Sequence, residues 1–131
     1  MAIFGVGAYY DEDVSQEFIR ANLVGVGWNA NEAPELHQFM RALKVGDIVY
    51  IKSFPPGSPD VIVKAIGIIT DDEIRTAANS SNLISCGRNV RWIHTGDFRI
   101  PKPPEKNNVR SNTVYEEFHP VVQTAILQQI I

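Results

Sequence analysis

The chain has 131 residues and a mass of 14.6 kDa, the size of one domain. Hydrophobic residues make up 44% and charged residues 21%, which excludes a disordered tail and a fibrous repeat. A formal net charge of −3 sets the chain apart from proteins that grip long nucleic acids along their phosphates, which carry a basic excess over the whole domain.

No apolar run approaches the ~18 residues of a membrane-spanning helix, and Met1-Ala2-Ile3-Phe4 opens without the basic stretch of a secretory signal. A single cysteine, Cys86, can form neither an internal disulfide nor a Cys-rich zinc site. These features predict a cytoplasmic protein with no membrane partner. Charge is graded along the chain: residues 1–40 carry six acids against one base, whereas residues 86–110 hold Arg88, Arg91, Arg99, Lys102, Lys106 and Arg110 against two acids. That basic stretch reads equally as a solvated surface segment and as a contact for a few phosphates.

In chain order, residues 3–10 read as a buried strand, with Gly5 and Gly7 marking a bulge or a close backbone approach. Asp13 or Ser15 caps a short helix with Val14, Phe18 and Ile19 on its apolar side. A second helix spans residues 34–43, opened by Pro34 and striped by Leu36, Phe39, Met40 and Leu43. Strands at 48–54 and 61–70 form a hairpin across the stiff segment 55–60, and residues 72–79 read as one or two helical turns. Residues 89–95 alternate as a strand, residues 101–108 are an irregular Pro-rich loop, and residues 113–117 form a short edge strand. Pro120 opens a final helix over residues 120–131, packing on the domain or at an oligomer interface. The expected fold is a single α+β domain over residues 1–131, a small curled sheet or open β-barrel of about five strands flanked by three or four helices.

Gly25-Val26-Gly27-Trp28-Asn29-Ala30 matches the loose dinucleotide pattern G-x-G-x-x-A, but only Leu23 and Val24 precede it, and the acid at the right distance, Asp47, begins a strand instead of ending one. His37, His94 and His119 have no ligand-like spacing, so no metal and no cofactor is expected, and His37 reads as a surface residue of its helix. Cys86 has no activating histidine beside it in sequence. The informative set is Trp28-Asn29, then Tyr50, Lys52, Ser53 and Phe54, then Arg88, Arg91 and Trp92. An indole in a glycine-rich turn offers a flat π face, and an asparagine beside it offers a donor and an acceptor. Such a pair stacks on a planar heterocycle and reads its edge. The competing readings are that Trp28 plugs a small core, that Trp92 is a core residue of its strand, and that Lys52 is a surface lysine.

Taken together, the first strand, the segment Gly25-Val26-Gly27-Trp28-Asn29, the helix at 34–43, Gly46-Asp47-Ile48-Val49-Tyr50-Ile51, the strand Val63-Lys64-Ala65-Ile66-Gly67-Ile68-Ile69 and Val90-Arg91-Trp92-Ile93 resemble a PUA-like domain, most similar to YTH and EVE modules, over roughly residues 1–100. The resemblance implies a non-catalytic module that recognises a nucleic acid or a modified base in an aromatic-lined pocket. Trp28 would be the stacking wall, with Asn29 and Ser53 at the base edge. The second cage tryptophan of YTH domains has no counterpart, because Ser85-Cys86-Gly87-Arg88 stands there, and Arg88 takes its place as a stacking or phosphate-meeting group. The alternatives are a protein-interaction or regulatory domain, monomeric or homodimeric through the final helix, and a small enzyme acting on RNA or nucleosides through Tyr50, Lys52 or Arg88.

Overall fold

The computed structural model describes residues 1–10, 12–53, 57–101 and 113–131. Alternation of apolar side chains decides the architecture. Along β1 (Ile3–Gly7), Ile3 faces one core while Phe4 and Val6 face the other. In β3 (Ile48–Ser53), Ile48 and Tyr50 join the first core, and Val49 and Ile51 the second. A sheet apolar on both faces must be covered on both. Helices α1 (Ser15–Ala21) and α2 (Pro34–Ala42) cover one face with Phe18 and Met40, and α3 (Pro120–Ile130) covers the other with Val122 and Ile126. Each such fully buried side chain contributes about 1.5–3 kcal/mol.

The remaining strands are β2 (Leu23–Val26), β4 (Asp60–Thr76), β5 (Cys86–Pro101) and β6 (Val114–Glu116). They build one curled, mixed six-stranded sheet in the order β2-β5-β4-β3-β1-β6, in which only β1 and β3 run parallel. The curl has visible causes. The β4–β5 ladder changes register three times, most strongly where Ile69 pairs with Val90 and Ile74 already pairs with Arg88, so residues 70–73 bulge outward.

Two sequence features act as local fasteners. Asp47 is buried, and its carboxylate accepts from the backbone N–H groups of Ala2 (3.1 Å) and Lys44 (2.9 Å), tying the start of β3 to the start of β1 and to the end of α2. At Gly5 a Cβ would lie 2.5 Å from Tyr115 Cζ and 2.9 Å from Tyr50 Cζ, which is the close approach expected there. The bare backbone lets both rings lie against β1. Tyr50 then donates to Glu117 Oε1 at 2.8 Å and accepts from the Tyr115 hydroxyl at 3.0 Å.

The expected α+β class and curled sheet hold, and several details change. Among the described residues the strands number six against about five expected, because residues 23–26, not expected as a strand, pair with β5. Four residues interrupted by Gly25 are too few to display a period. β1 stops at Gly7, short of Tyr10. The helical turns expected over 72–79 are strand as far as Thr76, followed by a single 3₁₀ turn at Ala77–Asn79. β5 is far longer than residues 89–95, because one stretch of it serves both β2 and β4. His37 is buried, not a surface residue. Residues 55–56 of the hairpin connection, 102–108 of the Pro-rich loop and 109–112 after it, with Lys102, Lys106 and Arg110, lie outside the described residues. Among the described residues no helix is long and apolar enough to cross a membrane.

Candidate functional site

Trp28 follows the C-terminal end of β2 and precedes α2, and its side chain is 54% exposed. The indole is therefore available, while the backbone beneath it is held. The Trp28 carbonyl accepts from His37 Nε2 at 2.7 Å and from the Ser85 hydroxyl. Ser85 is also 3.1 Å from the Val26 carbonyl, and its own N–H donates to that carbonyl at 2.9 Å. On the other side Gly27 lies under the Tyr10 ring, whose nearest carbons are 3.1 Å from where a Cβ would stand. Tyr10 in turn donates its hydroxyl to the Leu83 carbonyl at 2.9 Å, and burial pushes its pKa up to about 12. Three chain segments thus converge on one turn: Tyr10, three residues past β1, the first half of α2 and residues 83–85.

Ser85 Oγ and His37 Nε2 are 3.2 Å apart, the distance of a nucleophile–base pair. The carbonyl decides otherwise. A carbonyl oxygen only accepts, so Nε2 carries a hydrogen and has no lone pair with which to take the serine proton. Both side chains serve the Trp28 backbone.

Asn29 is engaged in the same turn. Its Oδ1 accepts from the N–H groups of Asn31 and Glu32, each at 3.0 Å, and Glu32 Oε1 accepts from the Asn29 N–H at 3.3 Å. This reciprocal cap consumes the acceptor that the sequence suggested Asn29 would offer. Its Nδ2 has no partner among the described residues, so the free end of the amide is a donor.

The other sequence-selected residues are distributed elsewhere. Tyr50 is fully buried on the α3 side of the sheet, where its own burial, with Tyr115 and Glu117 next to it, raises its pKa well above the ordinary phenol value. Lys52 lies beyond it on the same side, its Nζ 5.9 Å above the Tyr115 ring, and Ser53 is half-buried on the next position. Phe54 lies outside the described residues. Arg88 is 1% exposed, and its guanidinium donates to the carbonyls of Met40 (3.0 Å), Leu43 and Asp71 (2.8 Å). Arg91 is exposed on β5. The Trp92 indole lies across Gly67 against the core beneath α1 and α2, half-buried, with its buried Nε1 unpartnered among the described residues. The structure therefore joins Trp28 and Asn29 in one turn, groups Tyr50 with Lys52 on the opposite face, and puts Arg88 inside.

The residues that sequence reasoning missed are Tyr10, His37 and Ser85. Tyr10 had a usable signal, an aromatic pair Tyr9-Tyr10 directly after an apolar strand. His37 and Ser85 meet across 48 positions of sequence, and no local pattern announces that.

Lys52 gives a pH prediction. Burial lowers its pKa from 10.5 to about 8, so the folded state disfavours the ammonium while the unfolded chain accepts it freely. Between those values the unfolded state binds more protons, and stability contributed at this site rises with pH. In urea titrations at pH 7.5, 8.5 and 9.5, the wild type gains stability relative to Lys52→Met as pH rises; parallel curves would show that the ammonium is solvated in the fold.

Beside α1 lies a hollow of about 390 Å³ lined by Glu17, Leu23, Arg75, Asn79, Ser81 and Leu83 among others, and none of the sequence-selected residues lines it. Among the described residues no group of three or more His, Cys, Asp or Glu side chains is placed to hold a metal ion. No protein-family model and no curated protein sequence matches the chain.

Proposed function

We propose that this chain is a non-catalytic, PUA-like module of the YTH and EVE kind, cytoplasmic and monomeric or homodimeric, that binds a nucleic acid or a modified nucleotide by laying one base on Trp28. The observation that carries this reading is a half-exposed indole on a backbone fixed by His37 and Ser85. A core plug has no need of an open face, and a casual surface tryptophan has no need of an anchored carbonyl. Preorganisation of this sort saves the ordering cost that a flexible stacking residue incurs on binding. The curled sheet and the order of the motifs from Gly25 to Trp92 support the kinship. The net charge of −3 favours one everted nucleotide over a long duplex, so binding falls only gently with salt.

A thermal-shift screen against nucleosides and modified nucleotides identifies the ligand, because binding to the folded state raises the melting temperature. Trp28→Ala then weakens that ligand by about 10- to 100-fold, matching a stacking contribution of about 1–3 kcal/mol. It leaves the melting temperature within about 2 °C, as a half-exposed side chain outside the core requires. Undiminished affinity in Trp28→Ala removes the stacking wall and the function with it.

A further inference from the structure

Of the described lysines, Lys52 alone has no oxygen partner among the described residues. Lys44 Nζ lies 3.8 Å from Asp47 and Lys64 Nζ 3.1 Å from Asp97, whereas Lys52 meets neither a carboxylate nor a hydrogen-bond acceptor. Its place in the sheet explains the difference. Gly7 is its register partner on β1, and a Cβ there would lie 3.7 Å from Lys52 Cε and 3.9 Å from Nζ, so the stem runs across bare backbone. On β4 the facing residue is Val63, and on β6 the Tyr115 ring has its centroid 5.9 Å from Nζ. The titratable groups on this side are committed to one another. Tyr50 bonds to Glu117 at 2.8 Å and to Tyr115 at 3.0 Å, Glu117 also receives the His119 N–H at 3.0 Å, and α3 carries no ionisable side chain.

We infer that Lys52 is an acylation site, whose amine captures small activated acyl groups, those of acyl phosphates and acyl thioesters, by direct attack. An amine walled by glycine, valine and a phenol ring loses hydration without gaining a counter-charge, so burial favours its neutral, nucleophilic form. The residue is only half-buried, which leaves the nitrogen within reach of a small electrophile. The nitrogen lone pair forms the C–N bond to the carbonyl carbon. The bond from that carbon to the phosphate oxygen or thioester sulfur breaks, phosphate or thiolate leaves with the electron pair, and the proton shed by nitrogen passes to water. The product is a neutral amide, so the reaction removes a charge that the fold disfavours. This site lies on the α3 side of the sheet and does not depend on the role of Trp28.

The test uses the whole chain, incubated with acetyl phosphate or with acetyl-CoA in separate arms, and peptide mass spectrometry reads the acetylation rate at each lysine. At pH 7.5 Lys52 is acetylated about 10-fold or more faster than Lys44 and Lys64, because a far larger share of an amine titrating near 8 is neutral there than of an ordinary lysine. The arm with the larger preference names the acyl source. Above about pH 9 the rate at Lys52 levels off while that at Lys44 still climbs. In concentrated urea the three lysines react alike, since the walls of the site are gone. A rate at Lys52 equal to or below that at Lys44 in both arms overturns the inference. So does a preference for Lys52 that survives urea, which would place its cause in the local sequence instead of the fold.

Discussion

Arg88→Met destabilises the domain by about 3 kcal/mol, at the lower end of what breaking a buried charged network costs. Methionine matches the arginine stem in bulk, so no large cavity opens, and the loss is one of polar partners. The guanidinium donates to the carbonyls of Met40 and Leu43, which close α2 and have no acceptor role inside the helix. It reaches the Asp71 carbonyl in the bulge of β4 at 2.8 Å. Its nearest carboxylate, Asp72, is 3.7 Å away and 92% exposed, so the buried charge is balanced mainly by carbonyl dipoles at the negative end of a helix. Removing the arginine orphans those carbonyls and unfastens α2 from the sheet. Arg88→Lys recovers only part of the loss, because one ammonium cannot span both the helix end and the bulge. Urea denaturation with an unchanged m-value reads this directly; a cost below about 1 kcal/mol would mean that water replaces the guanidinium at the helix end.

What the sequence reveals, and what it hides, follows from the range of the interactions. The apolar run that opens the strand expected at 48–54 and the stripe Leu36, Phe39, Met40 and Leu43 are local signals, and both elements lie within a residue of where those signals place them. Gly46-Asp47 marks a strand start because the aspartate must fasten three backbone segments, and that chemistry needs those residue types in that order. Trp28 is legible as exposed because a glycine-rich turn is poor ground for a core side chain. Arg88 is the opposite case. A charged residue in a basic stretch reads as surface, and only the distant end of α2, reached across more than 40 positions, makes its burial tolerable. Tyr50 and Lys52 share a face, as their spacing requires, but the partner that covers that face is β6 and α3, elements distant in sequence. The amide of Asn29 shows a finer limit: sequence names the functional group, and only the fold shows which half of it is already in use.

Gly87→Ala has an effect at least as large, about 3 kcal/mol or more, and it reaches the binding turn. Gly25 and Gly87 are register partners in the β2–β5 ladder. A Cβ on Gly87 would overlap the Val24 carbonyl oxygen and the Ile84 Cδ1 methyl, and one on Gly25 would lie 2.7 Å from the Cys86 carbonyl oxygen and from Ile84 Cγ2. The paired glycines are thus the floor on which the buried Ile84 side chain lies. The backbone oxygen of Val24 cannot yield without breaking β2 from its neighbour, and overpacking a site that cannot relax costs about 1–3 kcal/mol or more. Gly7→Ala is the control, because its nearest neighbours stand at an ordinary 3.7 Å. The consequence at the site follows from chain order. Ile84 sits immediately before Ser85, so lifting Ile84 withdraws the hydroxyl and the N–H that hold the Trp28 and Val26 carbonyls. In hydrogen exchange the amides of β2 lose protection in Gly87→Ala, and Trp28 becomes more mobile by fluorescence anisotropy in a Trp92→Phe background. Gly7→Ala leaves both unchanged. Native stability and an immobile Trp28 in Gly87→Ala would show that β2 shifts without strain and that Ser85 does not depend on the glycine floor.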